Sequence, residues 1–207
     1  MINLKSALEI PFIYQWFQET LGGRDAHRHF VKHHLKPQPG DRILDIGCGP
    51  AQILEVMPEH VDYVGIDLNP RYIASAQARY GTRGTFVCQS VSEILINQKH
   101  SFDLVMAHGL VHHLDDHEAD QLFQVAAQAL KPGGRFLTVD GCFVDGQSRV
   151  ANWMLRNDRG RFVRTEAAYL AIARQTFANV SADIRHDLLR TPYTHIILNS
   201  QVPNGRA

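Results

Sequence analysis

Apolar and polar positions are arranged along this chain in two ways. Short apolar runs bounded by turn residues recur at Arg42–Ile46, Val61–Asp67, Gly84–Cys88, Phe102–Ala107 and Arg135–Asp140. Between them, apolar positions follow the helical period. Glu118–Leu130 is the clearest case, with Leu122, Val125, Ala126, Ala129 and Leu130 on one face. The short runs read as strands. The intervening stretches read as helices at Ala51–Met57, after Asn69 to about Tyr80, around Val91–Ile96, at Glu118–Leu130 and at Thr165–Gln175. Asn69 suits an N-cap and Pro70 the first helical position. Lys131-Pro132-Gly133-Gly134 breaks the fourth helix. Phe102–Ala107 is nearly all apolar, as a strand buried on both faces would be. Alternating strands and helices imply a parallel sheet covered on both sides. Phe177–Leu188 and Thr191–Gln201 read as a closing antiparallel pair that turns near Arg190, with Pro192 starting its strand.

Three stretches fall outside this alternation. Met1–Lys36 reads as helical and crowds Phe12, Tyr14, Trp16 and Phe17 together. Gly141–Arg164 is polar, with Arg149, Arg156, Arg159, Arg161 and Arg164 around Trp153 and Phe162. Gln201–Ala207 reads as a frayed tail. A length of 207 residues suits one domain, with 1–36 and 141–164 as its additions.

Charge narrows the function classes. Lysine plus arginine equal aspartate plus glutamate at 21 each, so general nucleic-acid binding is not expected. Cys48, Cys88 and Cys142 have neither a disulfide framework nor zinc spacing, which points to a reducing, cytoplasmic setting. Glu9 and Pro11 interrupt the N-terminal apolar stretch, so no signal peptide is expected, and no run has the length of a membrane span. The twelve histidines include two groups, His27/His29/His33/His34 and His108/His112/His113/His117. No carboxylate or cysteine joins them at a zinc spacing, so no metal is expected.

The candidate chemistry centres on RILDIGCGPAQIL, Arg42–Leu54. A strand, a glycine turn and a helix start make a nucleotide-binding geometry, because glycine lets backbone approach a ligand and a helix N-terminus offers N–H groups. Asp45 falls at the carboxyl end of the strand, where ligands of open α/β sheets bind. About 20 residues on, Asp67 ends the second strand, where a carboxylate accepts hydrogen bonds from ribose hydroxyls. Gln52 stands where a dinucleotide fingerprint needs its third glycine, so a ligand without a pyrophosphate fits better.

With those residues in place, the chain resembles the class I S-adenosylmethionine-dependent methyltransferases, in their small-molecule branch. The resemblance covers roughly Gly40–Asp140. It rests on LDIGCGP at Leu44–Pro50, GIDLNP at Gly65–Pro70, FVCQSVSEI at Phe86–Ile94, FDLVMAHGLVHHL at Phe102–Leu114 and LKPGGRFLTVDG at Leu130–Gly141, in the family's order. It implies a Rossmann-like, doubly wound, mostly parallel seven-stranded sheet with an antiparallel C-terminal strand. It also implies a helical lid at 1–36 and a substrate cap at 141–164.

The implied cofactor is S-adenosylmethionine. Asp45, Gly47, Cys48 and Gly49 would lie at its methionine end, Asp67 at the ribose, and Leu68, Ser90 and Val91 around the adenine. Ala107 and His108 would complete the wall. Ser90 replaces the acidic residue usual at the adenine amino group, and Ala51 replaces a usual glycine. An imidazole suits a general base near neutral pH. His113 is the first candidate, His112 the second, and Tyr14 of the lid can face the same point. The loop after the fourth strand lacks the Asn/Asp-Pro-Pro-aromatic motif of adenine and glutamine methylating enzymes, which leaves a small molecule with a hydroxyl, amine or acidic carbon. A monomer or homodimer is expected. The competing readings are a non-catalytic cofactor-binding sensor or assembly protein and, disfavoured by Gln52, a nicotinamide oxidoreductase.

Overall fold

The computed structural model describes residues 22–94, 98–158 and 160–204. Tyr14 and the aromatic crowd around it lie outside the described residues, so the expected lid is represented only by its last part. Helix α1, Gly23–Phe30, runs directly into a wider turn, Val31–Leu35. Strand β1, Arg42–Ile46, follows. The helix expected at Ala51–Met57 is a single 3-10 turn, Gln52–Glu55. Ala51 explains the difference. It sits in the left-handed region, φ 56°, where a side chain is strained and regular helix cannot start. Its replacement of glycine is therefore a costly change at the backbone.

The next elements follow the apolar pattern closely. They are β2 at Asp62–Asp67, α2 at Pro70–Tyr80, β3 at Gly84–Cys88, α3 at Val91–Ile94 and β4 at Phe102–His108. The Asn69 side chain accepts from the Arg71 N–H, with Pro70 in the first turn, as the sequence suggests. Helix α4 spans Asp116–Ala129 and begins earlier than expected. Asp115 and Glu118 form a capping box, each side chain accepting from the other's backbone N–H, and this fixes the start.

Strand β5 spans Leu130–Phe143 and is longer than expected at both ends. Lys131–Gly134 does not end it but bulges, because Phe102 pairs with Leu130 while Leu104 pairs with Arg135. The chain then forms α5 at Arg149–Arg156, the two-residue β6 at Arg164–Thr165, α6 at Glu166–Thr176, β7 at Asn179–Arg185 and β8 at His195–Gln201. Pro192 lies in the connection before β8 instead of starting a strand.

The strand order is β3-β2-β1-β4-β5-β8-β7, with β6 on β5 beyond the end of β4. Strands β1 to β5 are parallel, and β8 runs antiparallel to both β5 and β7. The extra strand is β6, too short to read from an apolar pattern. One face of the sheet packs on α4 and α6 through Phe123, Phe136 and Phe177. The other packs on α1 and the 3-10 turn through Phe30, Leu35, Leu54 and Tyr63. Among the described residues no helix is long and apolar enough to cross a membrane.

Phe123 is fully buried and meets the rings of Phe136 and Phe177 edge-on. Phe123→Ala should therefore cost about 3–5 kcal/mol of stability, as buried phenylalanine truncations do. Urea unfolding checks this, and a cost below about 1 kcal/mol would show that α4 does not anchor this face.

Candidate active site

The parallel strands carry the chemistry-bearing residues to one edge of the sheet. β1 ends at Ile46 and β2 at Asp67, and their tips hold the glycine turn between them. The Gly47 and Cys48 N–H groups both donate to the Ile66 carbonyl, at 2.8 and 3.0 Å. The Gly49 N–H donates to Asp67 Oδ2 at 3.0 Å, and the Asn69 N–H to Oδ1 at 2.7 Å. The turn's N–H groups thus bind it to β2 and do not stand open as the expected helix start would.

A cleft of about 280 Å³ opens beside this turn, between the tips of β1 and β2, the start of α3 and the first turns of α4. Of the residues expected around a cofactor, Gly47, Asp67, Leu68, Ser90 and Val91 line it. Leu68 is 74 % exposed, an unusual state for leucine at the rim of an apolar-walled cleft. The Ser90 hydroxyl donates to Glu93 Oε2 at 2.8 Å, which leaves its lone pairs for a donor from the cleft. Gln89, Leu110, Glu118 and Gln121 also line the cleft and carried no sequence signal.

Asp45, Cys48, Gly49, Ala107 and His108 are not among the lining residues. Asp45 is sealed on the far side of β1, where its Oδ2 accepts from the Tyr63 hydroxyl at 2.5 Å. Burial, opposed by that hydrogen bond and aided by the Asp67 charge, pushes its carboxyl up to about 7. The Cys48 thiol is pushed up by burial and the same two carboxylates, and it abuts Gly65. Ala107 is buried within the sheet. His108 faces α1, where its ring meets His27 and Phe30 edge-on at 4.8 and 5.7 Å. Burial drives His108 well below the ordinary imidazole value and His27 to about 4, so both are neutral near pH 7.

The two candidate bases separate sharply. Val111–His113 is a 3-10 turn beyond β4. His113 is exposed, with its ring 4.3 Å from that of His112. His112 is buried, and Asp140, in β5 just past the end of its pairing with β4, receives it: Nδ1 donates to Oδ1 at 2.7 Å and the backbone N–H donates to the same oxygen at 3.1 Å. Nε2 lies 3.5 Å from Asp158, which also accepts from the Tyr193 hydroxyl at 2.7 Å. Burial alone would lower the His112 pKa, but the two carboxylates overcome it and raise it to about 9.

Asp140, Asp158 and Tyr193 were not legible as site residues. Only Asp140 left a signal, a lone acid ending an apolar strand at its carboxyl end. The expected cap at Gly141–Arg164 contributes α5 and a tight closing stretch. There Arg164 is buried and donates to the Val111, Leu114 and Phe162 carbonyls and to Asp116. Among the described residues no three His, Cys, Asp or Glu side chains form a metal-binding group.

Residues 43–134 match a family model described as a methyltransferase domain. Over these residues the chain carries a methyltransferase domain similar to those of the class I S-adenosylmethionine-dependent methyltransferases. The chain is 28 % identical over 130 residues to a ubiquinone biosynthesis O-methyltransferase of Idiomarina loihiensis, covering 61 % of this chain and 51 % of that one. It is 35 % identical over 133 residues to phosphoethanolamine N-methyltransferase 1 of Arabidopsis thaliana, covering 62 % and 26 %. The chain thus spans about half, or less, of the length of these curated relatives. The structure of Haemonchus contortus phosphoethanolamine N-methyltransferase 2 in complex with S-adenosyl-L-methionine superposes with a TM-score of 0.73 at 18 % identity, over 99 % of this chain and 61 % of that one. At that identity the match is one of fold.

Asp45 gives the chain a measurable pH signature. Its folded-state pKa is about 7 against an ordinary 3.8, so the folded state favours the protonated form. Stability from this group is present below the ordinary value and is lost as pH rises through about 7. Asp45→Asn keeps an acceptor for Tyr63 and has no proton to lose. It should gain in urea midpoint relative to the parent chain between about pH 4 and about pH 8. An equal difference at both pH values would show that Asp45 ionises freely.

Proposed function

We propose that this chain moves a methyl group from S-adenosylmethionine to an oxygen, nitrogen or carbon nucleophile of a small molecule. The observation that carries the reading is the cleft at the β1 and β2 tips, with a carboxylate, Asp67, on its wall and an uncovered leucine, Leu68, at its rim. Asp67 has acceptor capacity beyond its two backbone N–H partners and takes the ribose hydroxyls. Leu68 and Val91 flank the adenine, Ser90 accepts from its amino group, and Gly47 approaches the methionine portion. Asp45 acts from beneath by holding the turn through Tyr63, out of contact with the ligand. The bound cofactor supplies an electrophilic methyl on a sulfonium sulfur, so the chain mainly has to align the acceptor.

In this reading the acceptor binds at the carboxyl ends of β4 and β5, next to the turn that carries His112. His112 is preferred over His113 because Asp140 fixes its ring, whereas His113 stands on the surface. For a hydroxyl acceptor, the O–H proton passes to Nε2 of the singly protonated His112 ring as the oxygen bonds the methyl carbon, so only molecules that have lost the second ring proton turn over. The sulfur–carbon pair stays on sulfur. The relatives include both an O- and an N-methyltransferase, so they do not select the atom.

Two expected outcomes test the reading. Asp67→Ala removes a charged partner of buried hydroxyls, worth about 1.5–3 kcal/mol. Calorimetry should show S-adenosylmethionine binding weakened about tenfold or more, and unchanged affinity in a folded variant would remove the ribose assignment. His112→Ala should lower turnover of an identified acceptor by about 10²-fold or more with cofactor affinity nearly unchanged. In the parent chain, turnover should fall as pH drops through about 9, the raised value of His112. Near-normal turnover in the variant would leave alignment alone to explain catalysis.

A further inference from the structure

The stretch that follows α5 is built onto His112 more closely than a connecting loop requires. Gly160 packs tightly against the imidazole, and a Cβ at that position would lie 1.9 Å from the ring's Cδ2. No residue with a side chain fits there without moving the ring. The Phe162 N–H donates to the His112 carbonyl at 3.0 Å, which ties the stretch to the turn beyond β4 from a second direction. Asp158 is itself held rigidly. Its Oδ1 accepts from the Gly160 N–H at 2.8 Å, and its Oδ2 accepts from the Tyr193 hydroxyl at 2.7 Å. Oδ1 also lies 3.5 Å from His112 Nε2.

We infer that Asp158 is a positioning residue which, together with Asp140, fixes both the orientation and the charge of His112. This rests on the reading of His112 as the acceptor-side base. The reasoning is one of donor and acceptor inventory. A neutral imidazole has one N–H and one lone pair. Asp140 alone would take the Nδ1–H and leave the Nε2 lone pair to the acceptor. With a second carboxylate facing Nε2, both nitrogens meet groups that only accept, so the doubly protonated ring is favoured, and His112 can take a proton from an acceptor only where the pH has removed the Nε2 proton. The proton state of the base is therefore set by a residue outside all the recognised motifs, on a segment that differs from the regular alternation of the fold.

The other groups around the ring do not offset this pair. His113, on the same turn, places its ring 4.3 Å away. His108 at the tip of β4 and His195 at the start of β8 are both driven down by burial, so they are neutral and add no positive charge. Tyr193 reaches His112 only through Asp158, and Tyr169 donates to the Gly141 carbonyl beside Asp140. The Arg164 guanidinium caps the Val111 and Leu114 carbonyls and pairs with Asp116. Two carboxylates in contact with the ring thus dominate its field. Burial and the bonds from His112, Gly160 and Tyr193 pull in opposite senses on Asp158, and the bonds win, keeping its carboxyl well below the usual range.

The test needs neither cofactor nor acceptor. Proton and nitrogen NMR of the full chain follows the His112 ring through a pH titration. In the parent chain the ring should titrate near 9 and show a cross-relaxation peak between its Cδ2 proton and the Gly160 Hα. In Asp158→Asn the midpoint should fall by about one pH unit or more, since an amide offers no charge. Asp158→Glu should recover part of it. A parent ring that titrates near its ordinary value of about 6.5, or an Asp158→Asn midpoint equal to the parent's, would overturn the inference. Should Asp158→Asn not fold, the parent titration and the Gly160 contact decide alone. A shifted midpoint with an unmoved pH profile of turnover would uphold the positioning role while removing His112 as the base.

Discussion

The turn that carries His112 depends on the hydrogen bonds of one buried guanidinium. Arg164 reaches the Val111, Leu114 and Phe162 carbonyls and Asp116, and so joins the segment after β5 to the turn after β4. Its ion pair with Asp116 is a minor part of this, because the Asp116 side chain is 84 % exposed and solvent screens it. The carbonyls matter more. Those of Val111 and Leu114 lie in and just after a short 3-10 turn, and a carbonyl buried there without a partner would carry the full cost of desolvation. With the turn secured, His112 has one place to go, between Asp140 and the stretch carrying Asp158 and Gly160.

The cleft side rests on a different economy. The glycine turn after β1 is bound to β2 by its own N–H groups, and Asp67 closes it by accepting from Gly49. Ala51 then sits at a positive φ and the chain passes through a single 3-10 turn. The turn is therefore a rigid wall. The ligand-facing chemistry lies in the Asp67 carboxylate and in the apolar rim around Leu68. The two sides meet along one edge because β1 to β5 are parallel and all end there, the usual reason for a binding site in an open α/β sheet.

Much of this was legible in the chain. Apolar runs five to seven residues long placed β1 to β4 almost to the residue, since a strand buried on both faces has no alternative use for such a run. The Asn69-Pro70 pair marked the start of α2 through local capping chemistry. The positions of Gly47, Asp67, Leu68, Ser90 and Val91 on one cleft were also readable, because each follows directly from the end of a strand in a parallel sheet. Where local rules were misapplied, a backbone detail intervened. Ala51 took a left-handed conformation in place of a helix start, and Lys131–Gly134 bulged within β5 in place of preceding it.

What the sequence by itself determined was the order of elements, the parallel sheet and the address of the cleft at the tips of β1 and β2, all set by short-range pattern and the period of burial. Tertiary structure decided which histidine is buried between two carboxylates and what charge they favour on it. His112 and His113 are neighbours in sequence and equivalent in type, so no local rule separates them. Their difference comes from Asp140, 28 residues on, and from Asp158 and Gly160 beyond it. A pairing across that separation becomes definite only when β5 lies beside β4 and the following segment folds back over their tips, because burial and charge act through space.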